Sequence, residues 1–517
     1  MTNQQKYSGM NYRTLKQFVI GGLLLATIAS CTKQLDEVVP QDTISKDQAL
    51  KDPNAARTLY HGVYGLFRNY TGTFFQLGEM RSDIWVDGLF TESVDGGLQN
   101  LYRHNISNLN VPFTNWASFY NLIFNFNNVI KIIPQTPLPD AEKSKILAEV
   151  YGLRAYVYYT MLRTWGDVPL NTEPIETITN TAQTYKRRTS SDSIMIQIKK
   201  DIEQSLQLFG SSNTMPAGKR VYWSRVASLV LKGDVLIWSG THMGGGPVDL
   251  TAAKAALQEV RNLQGASLNL NANYADCFDP GKKLNNPEII FALNYELQQA
   301  QLGAFSTFLV NSIQATTLSF TQAATPTVST VYPFVNGSNR VGMNQAMINR
   351  LTTGAADQRI SNSFRVMYSN AAPFAVRGVM LTKYVGTTSG TSQIYVNDYP
   401  IYRYADVLLL LAEAKAKLGE DPSAEINAIR QRAYGATYTP HVNAGTTANM
   451  NAILEEYLRE FIGEGKRWWA LRRAGDNYVY ANLSPVYFSP SSTAKFLLPL
   501  SQSMLLADPL LTQTPGY

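Results

Sequence analysis

The segment YRYADVLLLLAEAKAKLGE at Tyr402–Glu420 restricts the fold more than any other part of the chain. Val407, Leu408, Leu411, Ala414 and Leu418 recur at helical spacing along one face, while Leu409, Leu410, Ala412 and Ala416 cover most of the remaining circumference. A helix apolar nearly all round has to lie between other helices. Its alanines allow neighbours to come close, and Glu413 with Lys417 makes an i, i+4 pair on the narrow polar strip that is left. Gly419-Glu420-Asp421-Pro422 then turns the chain into a second helical stretch, Ser423–Tyr434.

Two further helix pairs can be read upstream. Asn115–Ile133 carries Phe119, Leu122, Ile123, Phe126, Ile130 and Ile133 on one face and is followed, after Pro134–Pro139, by Asp140–Trp165. Ser193–Phe209 and Trp223–Ser239 form the other pair, joined through Pro216 and Gly218. No clean self-repeat of tetratricopeptide length is visible, although the packing demanded is of that type. Leu268–Ser338 and Phe364–Asn397 lack helical periodicity and are rich in Asn, Gln, Thr, Gly and aromatics, with Glu288–Leu293 and Gln393–Val396 as strand candidates. The expected fold is mainly α: a tetratricopeptide-like helix-pair scaffold, chiefly 46–265 and 400–475, carrying an irregular, loop-rich half with short strands, chiefly 266–399. At 517 residues, 45% hydrophobic and 16% charged, the chain can bury a large core, and no linker divides it, so 46–517 is read as one domain.

The N-terminus obeys different rules. Lys6, Arg13 and Lys16 precede a short apolar run, Phe18–Ala29, and Ile28-Ala29-Ser30-Cys31 ends it with two small residues and a thiol. This pattern matches a lipoprotein signal peptide over 1–30, with Cys31 acylated after cleavage. The other reading is a plain secretory signal with an incidental thiol. Two or three acyl chains hold a membrane stably, and no later stretch is long and apolar enough to span one. Residues 31–45, polar and containing Asp36-Glu37 and Pro40, form the expected flexible tether. With Cys31 acylated, Cys277 has no partner for an intramolecular disulfide. Loss of the three basic signal residues lowers the formal net charge from +6 to +3, a balance that argues against a nucleic-acid partner.

The C-terminal third is more specific. YRYADVLLLLAEAKAKLGE at 402–420, INAIRQRA at 426–433, YLREFIGEGKRWWALRRAG at 457–475 and the ending FLLPLSQSMLLADPLLTQTPGY resemble the SusD/RagB family of nutrient-binding outer-membrane lipoproteins. GLRAYVYYTMLRTWGDVPL at 152–170 and WSRVASLVLKGDVLIWSG at 223–240 are similar to further paired-helix elements of that family, and only Leu268–Val396 lacks a counterpart. The acidic pair after Cys31 also resembles the surface-export signal of Bacteroidetes lipoproteins. The resemblance implies four tetratricopeptide-like helix pairs, lipid anchoring at the outer membrane with surface exposure, and a SusC-like TonB-dependent barrel as partner. It implies a captured glycan as cargo; peptide capture, or a structural lid without ligand affinity, are the alternatives.

Catalysis has little support. His61, His104, His242 and His441 are isolated, no His-Glu-x-x-His or Gly-x-Ser-x-Gly is present, and neither a metal nor a cofactor is expected. Gly463-Glu464-Gly465-Lys466-Arg467 lacks the length and hydroxyl of a phosphate loop and reads as close packing; Trp468 and Trp469 read as core anchors, and Gly244–Pro247 as a turn.

A glycan binder needs flat apolar faces flanked by amides, carboxylates and guanidinium groups. Two regions have that mixture. Glu79–Tyr102, read as loop, offers Arg81, Asp83, Trp85, Asn100 and Tyr102, beside Asp87 and Gln99; Phe305–Phe334 offers Phe305, Phe320, Tyr332 and Phe334. Against this, Arg81 and Asp83 suit a buried structural pair, and Trp85 suits the core.

Overall fold

The computed structural model describes residues 46–89, 96–110, 112–175, 177, 179–354 and 356–517; Cys31 and the tether 31–45 lie outside them. In chain order, the helices of eight residues or more are α1 Pro53–Arg68, α2 Thr71–Glu79, α3 Ala117–Ile132, α4 Asp140–Trp165, α5 Ser191–Phe209, α6 Arg225–His242 and α7 Gly246–Arg261. They continue with α8 Gln345–Thr352, α9 Tyr404–Lys417, α10 Ser423–Tyr434, α11 Thr446–Glu460 and α12 Arg467–Ala474. Local chemistry sets several starts. Asp52 accepts from the N–H of Asn54 before Pro53 opens α1, and Ser190 and Ser224 accept from the first turns of α5 and α6.

The helices stack in series. α1 packs on α3, α3 on α4, α4 on α5, α5 on α6, α6 on α7, α7 on α9, and α9 on both α10 and α11. The mainly helical, tetratricopeptide-like architecture is therefore the observed one. α9 sits in the middle with Tyr404–Ala414 buried without a break, as its two-sided apolar pattern requires. One pairing differs from the sequence reading. α5 packs more extensively on α4, and α6 on α7, than α5 and α6 do on each other. The cause is α7: Pro247 in its first turn makes the Gly244–Pro247 turn the start of a helix as well as a stop.

Nine short strands, β1 Val86–Asp87, β2 Ile289–Leu293, β3 Leu318–Ser319, β4 Val341–Gly342, β5 Phe364–Ser369, β6 Val376–Leu381, β7 Thr387–Ser389, β8 Ser392–Ile394 and β9 Tyr399–Arg403, form small antiparallel sheets among the described residues. The helix expected from Tyr402 starts at Tyr404 instead, because Tyr402 and Arg403 pair with β2. Asp406 then accepts the Arg403 N–H at 2.9 Å and closes the first turn. The largest apolar cluster runs through the helical stack from Ala56 to Met504, and a smaller one, from Leu309 to Met380, underlies the sheet β3-β5-β6.

The charged residues of the C-terminal motifs meet in the interior. Arg403 Nη1 lies 2.5 Å from Glu288 and 2.6 Å from Glu460, and its Nε lies 2.8 Å from Glu464. Arg432 bridges Glu288 and Glu460 as well, and Lys383 pairs with Glu464 at 2.9 Å. Burial works against the Arg403 charge, but Glu464, Glu460 and Glu288 outweigh it and hold its pKa above the usual guanidinium value. This network ties β9, α10 and α11 to the start of β2, so the motifs encode a junction between the two halves of the molecule.

Gly463 and Gly465 belong to the same junction. Both have positive φ, +83° and +69°, and their N–H groups donate to the Glu79 carboxylate at 2.7 Å each. A Cβ on Gly78 would fall 1.7 Å from the Gly465 carbonyl oxygen, so α2 can approach α12 only with glycine at both places. The glycine-rich motif thus cradles an anion, but one supplied by the chain itself. Trp468 and Trp469 are 0% and 6% exposed and anchor the core.

Buried carboxyls give the fold a pH response. Glu149 accepts from the Tyr60 hydroxyl at 2.5 Å and from Tyr64; burial pushes its carboxyl up to about 7, while the two tyrosines pull it partly back. The folded protein therefore keeps a proton that the unfolded chain releases above its ordinary carboxyl pKa. The associated stability is complete below that value and is lost as pH rises through 7. Glu149→Gln is expected to raise stability at pH 8 by roughly 3 kcal/mol and to change it little at pH 4.5. Urea unfolding at the two pH values checks this; an equal effect at both would contradict it.

Candidate functional site

The described parts of the Glu79–Tyr102 segment, 79–89 and 96–102, are not the open loop expected. Glu79 ends α2, and Gly96–Tyr102 is itself a short helix. Its side chains divide into two groups. Arg81, 1% exposed, lies over the Trp468 ring at 4.4 Å and donates to the Phe496 carbonyl at 3.2 Å, and burial lowers its pKa to about 9. Asp83 does not pair with Arg81; it accepts two hydrogen bonds from Arg467 at 2.8 Å, and that guanidinium, against the cost of burial, holds the carboxyl below the usual range. Trp85, 3% exposed, donates to Glu79 at 3.1 Å and packs edge-on against Phe308 at 4.8 Å. These three brace α2 against α12, and the Trp85 ring offers solvent no face.

The second group surrounds β1. Asp87 accepts from Gln99 at 2.7 Å, from the Tyr102 hydroxyl at 2.5 Å and from Arg103; the Tyr102 side chain is buried. Asn100 is half-buried and donates to the Asn110 carbonyl at 2.6 Å. Neither group reaches Phe320 or Tyr332 through any of these contacts.

Phe320 and Tyr332 do come together. Pairing of Ser319 with Tyr368 places Phe320, the residue after β3, diagonal to Arg365 on the neighbouring strand β5. The Arg365 guanidinium lies 4.0 Å over the Phe320 ring, and Tyr332 meets that ring edge-on at 5.9 Å. Burial pushes the Tyr332 hydroxyl pKa up, and the Arg365 charge and hydrogen bond pull it back. Phe305, by contrast, is core: it is 1% exposed and stacked on Tyr384 at 4.4 Å.

Arg365, and beneath it the edge of Phe320, which is 9% exposed and belongs to the smaller apolar cluster, stand in the wall of an open groove of about 660 Å³, within the usual range for ligand sites. Tyr368 and Tyr434 add half-buried aromatic rings and Ser361 adds an exposed hydroxyl, whereas the Gln358 amide is committed, accepting from the Tyr274 N–H at 3.0 Å and donating to the Arg432 carbonyl. Tyr434, at the end of α10, is fixed by Arg359, which reaches its hydroxyl at 3.3 Å. Arg359 is itself held by Asp357 and Glu456 at 2.7 Å each and extends the buried network to Glu460. The groove floor is therefore rigidly tied to the scaffold. Sequence reasoning missed Arg365, Tyr368 and Tyr434. The signal present was the half-exposed positions of β5, which carry an arginine and a tyrosine where a buried strand would be aliphatic.

Among the described residues no group of three His, Cys, Asp or Glu side chains is placed to hold a metal ion, and no helix is long and apolar enough to cross a membrane. The groove combines rings, hydroxyl and guanidinium on a helix-pair scaffold, a combination that defines a binding protein of the stacked-hairpin class. Family models agree at both ends of the chain: one described as SusD family matches residues 367–517, and one described as starch-binding associating with outer membrane matches 42–222. The structure of NanU from B. fragilis is similar at 33% identity, covering 93% of this chain and 100% of that one with a TM-score of 0.82. A SusD superfamily structure from Bacteroides vulgatus ATCC 8482 is 31% identical over 90% of this chain and 99% of its own, with a TM-score of 0.80. SusD-like protein P38 of Formosa agariphila is 27% identical over 95% of this chain and 97% of its own length. The chain belongs to the SusD/RagB family.

Proposed function

We propose that this protein captures a glycan at the cell surface, holds it in the groove walled by Phe320, Arg365 and Tyr434, and passes it to a SusC-like TonB-dependent barrel. Cys31, outside the described residues, is the proposed lipid anchor to the outer membrane, and 31–45 the proposed tether of a single domain spanning 46–517. The observation that carries the reading is the Arg365 guanidinium fixed at 4.0 Å over Phe320 in the wall of a groove of ligand size. Aromatic faces cover the C–H surface of a sugar, and guanidinium, amide and hydroxyl groups bond its hydroxyls. The family description as starch-binding supports the same class of cargo. Phe320 remains a proposed contact residue, and Tyr332, which does not line the groove, is assigned support of the Phe320 ring. Arg81, Asp83 and Trp85 are assigned support of the scaffold, and Asn100 and Tyr102 order the β1 neighbourhood.

Solubilising the envelope in mild detergent and isolating the native lipoprotein tests delivery. Copurification of a barrel protein is expected, together with loss of membrane attachment in Cys31→Ser. Recovery of the lipoprotein alone would contradict the delivery step.

A further inference from the structure

A second cleft, sharing no residue with the groove, lies on the helical scaffold. It has a volume of about 620 Å³ and is formed by one face of α3, residues from 169–175 and 184–186, and the C-terminal stretch 503–511. The helix α3 turns Phe119, Leu122, Phe126 and Val129 into the core, and presents Trp116, Tyr120, Phe124 and Asn127 to the cleft at turns of three or four residues. Phe124 is 42% exposed, and Ile175 across the cleft is 42% exposed as well. The two side chains stand half-open at the mouth of one cavity, where a flat ligand face would cover both.

The polar lining narrows the ligand class. Asn127 and Lys186 are committed: Asn127 donates to the Asn171 carbonyl at 3.1 Å and accepts from Arg154 at 2.7 Å, and Lys186 donates to the Leu170 carbonyl at 2.5 Å and to Asn171 at 2.7 Å. Glu173, by contrast, makes no hydrogen bond or ion pair with any described residue, although it lines the cleft beside those two. A carboxylate that accepts only, an exposed phenyl ring and the Tyr120 and Tyr185 rings do not suit an anion or a purely apolar chain. They suit a ligand with hydroxyl donors on its edges and C–H groups on its faces.

We propose that this cleft is a second saccharide-binding subsite, with Phe124 and Tyr120 covering a sugar face and Glu173 accepting its hydroxyls. The inference rests on the glycan reading of the protein. Two subsites on one chain would let a long polysaccharide be held at separate points, raising its residence on the surface through effective concentration.

Saturation-transfer NMR on the Cys31→Ser chain, with glucose, galactose, mannose and N-acetylglucosamine as probes, separates the two sites. The variants are Arg365→Ala with Tyr368→Ala for the groove, both half-buried on β5, Phe124→Ala with Glu173→Gln for the cleft, and all four together. Phe124 and Glu173 are exposed, so the cleft variant is expected to keep the wild-type circular dichroism. Each pair should remove part of the transfer to at least one sugar, and the fourfold variant should remove it all. Complete loss in the groove variant, or a cleft variant indistinguishable from wild type, overturns the second subsite and leaves the groove standing. Loss confined to the cleft variant supports the cleft and overturns the groove. No transfer from the wild-type chain to any of the four sugars overturns both.

Discussion

Arg403→Met is expected to destabilise the protein by about 3–5 kcal/mol, the cost of leaving buried carboxylates without their partner. Arg403 is 0% exposed and is shared by Glu288, Glu460 and Glu464. Arg432 and Lys383 satisfy those carboxylates only in part, and Arg403 Nη2 also holds the Glu460 carbonyl at 2.8 Å. Charged partners hold the Glu460 and Glu464 carboxyls below the usual range against the cost of burial. Removing the guanidinium frees these carboxyls to take up protons, so the loss should be smaller at pH 5 than at pH 8. Guanidinium chloride unfolding at both values measures it; a loss under 1 kcal/mol at pH 8 would show that the neighbouring cations suffice. The consequence extends to the groove, because Arg359 joins Glu460 to Tyr434.

Arg365→Ala is expected to weaken oligosaccharide binding at least tenfold, about 1.4 kcal/mol, while unfolding stability changes by under 1 kcal/mol. Arg365 is half-buried on a strand whose neighbours Phe364 and Met367 carry the packing, so its loss leaves the sheet intact. Arg365→Lys should recover little, since a point charge cannot lie flat on the Phe320 ring as a planar guanidinium does. Calorimetric titration of the three proteins with maltoheptaose and laminariheptaose makes the comparison. Equal affinity in all three would remove Arg365 from the site.

The scaffold was legible because its constraint is local. The all-round apolar pattern of α9 can be met only between other helices, and the periodicity of Asn115–Ile133 and Asp140–Trp165 located α3 and α4 closely. α7 escaped because glycines and a proline mark both a turn and a helix start. The site was less legible, and for a different reason. The Glu79–Tyr102 stretch has the composition of a binding loop, yet Arg81, Asp83 and Trp85 are consumed by Trp468, Arg467 and Glu79, partners that for the first two lie some four hundred residues away. Composition does not distinguish a polar group awaiting ligand from one already satisfied by distant chain. Phe320 and Tyr332 were found by their aromatic character, but Arg365 joins them only through the register of β3 on β5, a property of the pairing and not of either strand.

The most direct measurement is a crystal structure of the Cys31→Ser chain soaked with the tighter-binding of those two oligosaccharides. The expected result is a sugar ring seated in the groove against the Tyr434 and Tyr368 rings, with the Arg365 guanidinium on its hydroxyls. An empty groove in crystals whose protein binds that oligosaccharide in solution would contradict the assignment.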